Sequence, residues 1–577
     1  MSARNLLMAG ILLMSVASFS ATAQEKLLIV APDDFIDELE PLQRFKAATA
    51  RRCTLVSLTN VDNMNFPGDQ AEQVKRCIAF YKQTDGIEHV LLVGDVDRFP
   101  VRWRWWGLPD QEYWGVSELY YADLYENGTT TFDDWDFNNN GLYGEIEFSP
   151  DGTINNDRID FLPDVSVGRI PASTEAEVVV YVDKLIAYEL KTRPSDPWFK
   201  KAGLYTGSWL TNANATKDGV ATVLADKGFS TIKRYWDWQS NQAPPGVPGA
   251  IINDLNAGVG FANYLGHGNT SSWACLGLGT SQLGSLTNTG RLPVVFAGAC
   301  DTAMFARMAR FHPYKDVNGQ GHRGTGMGET LAPGPYPHNG LPRPACLQDG
   351  QLVLGGTIHV FDRSCVAETF LLGNPTGSTG AIAYIGERTG GQGTIVDLDR
   401  EFFAAYENGH QILGDMWVYM LQQYHAQHNL GDSHTWWREP SQWRVGHTLD
   451  EPQKLVLFGD PSVVVGGAFA NTVSGSAADW IFPFFLSYSR RRVTGNVTVA
   501  AGAALTADQG ASILFESGRK ITALDPRPAF GFHANGKPNA PVYLLAAGPQ
   551  PSSSNVVRGI RIKGQMRLRN AGAVKLY

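Results

Sequence analysis

Three kinds of residue are scarce in this chain. Six cysteines in 577 residues are too few for a disulfide scaffold, so a hydrophobic core has to hold the fold. Charged residues make up 18% against 43% hydrophobic, which excludes a disordered or polyelectrolyte chain and leaves enough apolar material for more than one domain. Long hydrophobic runs are absent as well. The apolar run from Leu6 to Val16 is far short of the roughly 20 residues that a membrane span requires, and no other segment reaches that length. No nucleic-acid recognition motif accompanies the formal net charge of −9, so nucleic acid is not an expected partner.

That first run has a different meaning. Arg4, the apolar stretch and Ala21-Thr22-Ala23 have the order of a signal peptide over residues 1–23, so the mature protein is expected to be secreted, extracellular or on the cell surface. In an exported chain cysteines can pair. Cys346 and Cys365 flank one Gly/Pro-rich segment and are the expected disulfide, while Cys53 and Cys77 are expected to be core thiols.

The chain is organised around Phe261 to Cys300, which contains FANYLGHGNTSSW and then LPVVFAGAC. Each half is a short apolar run ending in a reactive side chain, the way buried parallel strands deliver residues to the carboxyl edge of an open α/β sheet. His267 and Cys300 are therefore expected on one edge. A thiol with an ordinary pKa near 8.5 is a weak nucleophile at neutral pH, and a neighbouring imidazole can take its proton. The N–H of Gly268, with no side chain to obstruct it, and the N–H of Cys300 could hold an acyl oxyanion. Cys275 is the rival nucleophile.

YLGHG followed by LPVVFAGAC resembles the catalytic core of the gingipain family of cysteine peptidases, a caspase-like group. KLLIVAP (Lys26 to Pro32), HVLLVGDVDRFP (His89 to Pro100), PDVSVGRIPASTEAEV (Pro163 to Val178) and LFGDPSVVV (Leu457 to Val465) agree in the same order, so the resemblance covers roughly Lys26 to Gly466. It implies a caspase-like α/β fold with doubly wound, mainly parallel sheets in two subdomains. It also implies a Cys-His dyad hydrolysing peptide bonds in protein or peptide substrates. The alternation of strands and helices over Lys26 to Thr192 is consistent with a doubly wound sheet. The expected organisation is an N-terminal α/β subdomain over 24–197, a catalytic subdomain over 198–468 and a β-rich accessory domain over 469–577.

Two departures from the family pattern stand out. Between Cys300 and the helix motif CVAETFLL (Cys365 to Leu372) lies an insert, 306–363, rich in Gly, Pro and His, which reads as a long loop at the active edge; its histidines lack metal spacing. In arginine-specific members, acids follow the strand matching AGLYTG. Here the turn reads SWLTNANATKDG with Asp218 its single carboxylate, so trypsin-like specificity is not expected. Trp209, Trp236, Trp238 and Trp273 suggest an apolar or mixed pocket instead. Glu368 and Asp164, inside shared motifs, are expected to be structural anchors.

DFNNNGLYGEIE, Asp136 to Glu147, fits the calcium-loop template D-x-[DN]-x-[DN]-G-x5-E. The expected ligands are Asp136, Asn138, Asn140, the backbone carbonyl of Leu142 and Glu147, holding a structural Ca²⁺. An ordinary Asn/Asp/Gly surface loop is the alternative. From Arg490 onward the chain carries 13 Lys plus Arg against three acids, and the remainder carries −19. Such a basic tail suits docking on the acidic body or attachment to an anionic cell surface. Short Val/Ile/Leu/Phe runs between Gly turns in this region resemble stacked β-turn repeats, with a capping sandwich as the alternative. The functional expectation is a secreted cysteine endopeptidase. The alternative is a catalytically inactive gingipain-like surface or binding protein.

Overall fold

The computed structural model describes Lys26 to Ala306 with a few short breaks, Cys365 to Phe469 apart from 374–377 and 432–443, and the strands of the C-terminal region; most of 307–364 and residues 1–25 lie outside it. The chain divides into two compact units, Glu25–Val473 with 547–554, and Ser474–Ala546 with Asn555–Tyr577.

The first unit is built on ten strands: β1 (Lys26–Ala31), β2 (Arg52–Ser57), β3 (His89–Val93), β4 (Ser166–Ile170), β5 (Lys201–Thr206), β6 (Ser230–Arg234), β7 (Phe261–Leu265), β8 (Val294–Gly298), β9 (Ala383–Glu387) and β10 (Leu455–Phe458). Their order across the sheet is β2-β1-β3-β4-β10-β9-β8-β7-β5-β6. Every pairing is parallel except β9 with β10. The first four strands form one half and the last six the other, and a single register pair, Phe458 with Arg169, joins them. This is the caspase-like α/β plan with mainly parallel sheets. All five residues of β3, β4, β7, β8 and β9 are buried, so both faces of the sheet are covered; apolar residues dominate these strands, with His89, Ser166, Arg169, Asn263 and Glu387 as buried polar exceptions.

The helices start where the sequence supplies caps. Asp69 caps the helix Gln70–Asp85, which ends at Gly86 in the left-handed conformation. Thr174 and Glu177 form a capping box at the helix Glu175–Lys191. That helix ties the two halves together: Tyr181 donates to Ile382 O on the β9 side and accepts from Asp460 N, and Lys184 donates to Leu371 O.

The expected Cys346–Cys365 disulfide is not formed. Cys365 is a buried free thiol, and its Sγ accepts from Glu368 N at 3.4 Å as the N-cap of the helix Val366–Leu372, while Glu368 Oε2 accepts from Cys365 N. The thiol stands where a serine or threonine of a capping box would, which occupies it without a partner cysteine. Cys346 lies outside the described residues. Cys53 and Cys77 are also free, with Cys77 buried. Asp164 accepts from Leu124 N and Tyr125 N, the anchor role expected of it.

In the second unit, strands pair in parallel with segments some turns away: Arg490–Val493 with Ser512–Phe515, Val497–Val499 with Ile521–Ala523, Ala504–Asp508 with Gly531–Asn535. Parallel pairing of successive segments is the pattern of stacked coils, each burying its apolar side chains against the next.

Candidate active site

β7 and β8 are neighbours in register, with Leu265 opposite Gly298 as the last pair. His267 and Cys300 each lie two residues beyond that pair, so the sheet brings them to the same edge, as expected. The contact between the two segments is direct. A Cβ placed on Gly268 would lie 2.6 Å from Cys300 O and 2.9 Å from Ala299 Cβ, so only glycine lets the His267-Gly268 backbone approach the Cys300 turn this closely. Asp301, directly after the cysteine, has a left-handed φ of 61°, and Thr302 Oγ1 donates to Ala299 O, so the thiol sits on a tight turn out of the strand.

His267 is exposed and its backbone is fixed. His267 O accepts from Tyr264 Oη at 2.7 Å and from Ala274 N at 3.0 Å, and the Tyr264 ring is stacked on Trp273 at 4.7 Å between centroids. Among the described residues no carboxylate hydrogen-bonds the imidazole; the Trp209 ring lies against it, 6.2 Å between centroids. Trp209 thus borders the site, whereas Trp273 is fully buried and donates to Tyr384 Oη, so it belongs to the core and lines no pocket.

Cys300 is partly exposed, and its Sγ accepts a hydrogen bond from Gly391 N at 3.2 Å. Burial pushes the thiol above its ordinary value, Asp301 adds to that, and the Gly391 N–H and Lys454 work against it. A thiol raised in this way needs a base to become a thiolate. Gly391 belongs to no catalytic motif, and the Gly390-Gly391 pair in the turn after β9 is its only sequence signal.

Cys275 lies on the other side of the β7 end. Its Sγ accepts from Ser208 N at 3.4 Å, lies 3.3 Å from Ser208 Oγ, and packs against Gly207 at the end of β5. Asp218 faces away to an exposed pairing with Lys233 at 2.7 Å and Tyr235 at 3.0 Å.

Of the expected calcium ligands, Asn140 and Leu142 lie outside the described residues, as does the side chain of Glu147, whose backbone ends a short strand. Asn138 Nδ2 donates to Glu145 Oε2 at 2.7 Å, and Asp157 accepts from Glu145 N. The buried Asp157 Oδ1 has no hydrogen-bond partner among the described residues. Among those residues no group of three His, Cys, Asp or Glu side chains is disposed to hold a metal.

An α/β sheet of caspase-like plan with a cysteine and a histidine on adjacent strand ends is the architecture of a class of cysteine peptidases. The chain belongs to peptidase family C25, whose profile matches residues 20–319. Gingipain R2 of Porphyromonas gingivalis is 28% identical over 167 residues, 28% of this chain and 20% of that protein. Lys-gingipain of the same organism is 30% identical over 152 residues, 25% of this chain and 8% of that protein. The match therefore spans a fifth or less of these relatives' length. The crystal structure of the Arg-specific cysteine proteinase gingipain R shares the fold, with a TM-score of 0.52 at 16% identity over 79% of this chain and 83% of that one. No helix among the described residues is long and apolar enough to cross a membrane.

Proposed function

We propose that the protein is an exported cysteine endopeptidase in which Cys300 is the nucleophile and His267 the base. The carrying observation is the register of β7 and β8, which leaves both residues two positions past the last pair, with the Gly268 and Cys300 backbones in contact. In the reaction His267 takes the thiol proton and Sγ attacks the scissile carbonyl carbon. The N–H groups of Gly268 and Cys300 hold the oxyanion. The intermediate then collapses to a thioester as His267 gives the proton to the leaving amine. Water, deprotonated by His267, attacks the thioester, releases the carboxylic acid and returns the proton to the thiol. Cys275 is the weaker candidate because its sulfur is engaged with Ser208.

A basic side chain at the cleaved position would find no free acid at the end of β5, since Asp218 is paired elsewhere. Apolar or mixed substrate residues beside Trp209 fit better. The signal-like residues 1–23 support export, and the basic C-terminal region supports attachment to an anionic surface. A structural Ca²⁺ in the Asp136 to Glu147 loop completes the reading, supported by the template match and the orphaned carboxylate oxygen of Asp157 beside it.

The test is Cys300→Ala. It should abolish peptide hydrolysis, a loss of at least about 10³-fold, with an unchanged circular dichroism spectrum. An alkylating probe should label Cys300 faster than Cys275, and His267→Ala should remove that difference. Hydrolysis that survives Cys300→Ala would end the assignment.

A further inference from the structure

A catalytic histidine is ordinarily oriented by a group bound to its second ring nitrogen. His267 is held in another way. Among the described residues, the interactions of its carbonyl and side chain are two hydrogen bonds to the backbone oxygen and one aromatic ring against the imidazole. Tyr264, three residues earlier in β7, supplies the shorter bond, from Oη to His267 O at 2.7 Å, and Ala274 N supplies the other at 3.0 Å.

The tyrosine is itself held fast. Its fully buried ring is stacked on Trp273, 4.7 Å between centroids and 14° between planes. Trp273 is fixed in turn by its Nε1 donating to Tyr384 Oη at 3.1 Å and by the Tyr205 ring at 5.9 Å. The Tyr264 hydroxyl runs through a slot between two turns: a Cβ on Gly266 would lie 2.6 Å from Oη, and one on Gly207 would lie 2.9 Å from it. Gly207 follows β5 and Gly266 follows β7, so two missing side chains leave the phenol a passage to the carbonyl of the base. The arrangement closes on itself, because Trp273 packs the Tyr264 ring while the next residue, Ala274, binds the same carbonyl. On the β5 side, Cys275 Sγ accepts from Ser208 N at 3.4 Å and fixes the turn whose next residue, Trp209, lies against the imidazole. Backbone and ring are constrained from two neighbouring strand ends without a carboxylate.

We infer that Tyr264 is a positioning residue for His267: its hydroxyl fixes the peptide that carries the base and keeps the imidazole aimed at the Cys300 thiol, the task an acid on the second ring nitrogen performs in other sites. The inference rests on His267 being the base, and adds the residue that aims it. Tyr264→Phe removes one oxygen and leaves the ring on Trp273 and the Ala274 bond to His267 O in place, so the fold is retained. What changes is the fraction of time the imidazole spends where it can take the thiol proton.

The experiment is a double-mutant cycle read by the rate of iodoacetamide labelling at Cys300, mapped by mass spectrometry at pH 7 in the full-length protein. His267→Ala should slow labelling by removing the base. Tyr264→Phe should slow it about fivefold, the effect of one ordinary hydrogen bond, with an unchanged circular dichroism spectrum. Adding Tyr264→Phe to His267→Ala should slow it no further, because the hydroxyl acts only through the imidazole; a residue that merely packs the core would slow labelling equally in both backgrounds. Equal rates in wild type and Tyr264→Phe, or the same slowing with and without His267, would overturn the inference while leaving His267 as base. Labelling at Cys300 that His267→Ala leaves unchanged would overturn both.

Discussion

At Gly268 the site depends on the absence of one methyl group. A Cβ there would collide with Cys300 O at 2.6 Å, Thr302 Cγ2 at 2.8 Å and Ala299 Cβ at 2.9 Å, atoms that belong to a turn with little room to retreat. Gly268→Ala should destabilise the protein by about 1–3 kcal/mol through overpacking. Displacing the Gly268 N–H should also lower kcat by about 10²–10³-fold, the cost of losing one oxyanion donor. Thermal unfolding and steady-state kinetics measure the two separately; a variant with lowered stability and full kcat would remove Gly268 from the oxyanion site. His267 and Cys300 were legible in the sequence because each closes an apolar run of strand length, and the strand carries the chemistry to the edge. Gly391 was not, because its role comes from a backbone N–H ninety-one residues from the thiol it serves, which residue type does not advertise. Cys365 misled for a related reason: its spacing to Cys346 was visible, but Cys365-x-x-Glu368 is also a capping-box pattern with sulfur in place of oxygen.

At the scale of elements, the strands and helices of the first unit were readable because propensity, periodicity and caps agreed. The helix Glu175–Lys191 starts at the Thr174/Glu177 capping box, and Gly409 lies between the helices Ile395–Glu407 and Leu413–His428. The order of strands was less accessible, because β10 inserts between β4 and β9 from the far end of the unit. The Asp136 to Glu147 loop belongs to this scale. If it holds Ca²⁺, a concentration one hundred times Kd should stabilise the folded state by about 2.7 kcal/mol, visible as a rise in Tm that a chelator reverses. Asp136→Ala should abolish the rise. Equal Tm with calcium and with chelator in the wild type would leave the segment as a loop satisfied by its own Asn and Asp side chains.

Across the first unit, a buried ion network joins segments that are far apart in sequence. Lys46, at the end of the helix Ile36–Ala48, pairs with Glu189 at 3.2 Å and with Asp460 at 2.6 Å, and Arg51 pairs with Glu189 at 3.1 Å. All four side chains are fully buried, and Glu189 also accepts from Val464 N, so the start of the chain is locked to the segment after β10. Sequence showed the ends of this network only as LFGDPSVVV and an ordinary lysine, since nothing local reveals a partner more than four hundred residues away. Burial alone would raise the Asp460 carboxyl, but Lys46 and the Ser462 hydroxyl and N–H outweigh it and hold it below the usual carboxylate value. A carboxyl depressed in the folded state contributes stability above its unfolded value near 3.9 and loses that contribution as pH falls through the folded value. Lys46→Met should therefore cost about 3–5 kcal/mol at pH 7, where it strands buried negative charge. The deficit should shrink below about pH 4, as Asp460 takes up a proton in the variant before it does so in the wild type. Denaturant midpoints of both proteins at pH 7 and pH 3.5 measure this. A deficit unchanged by pH would assign the loss to packing of the lysine stem and would remove the ion network as the clasp between the two ends of the unit.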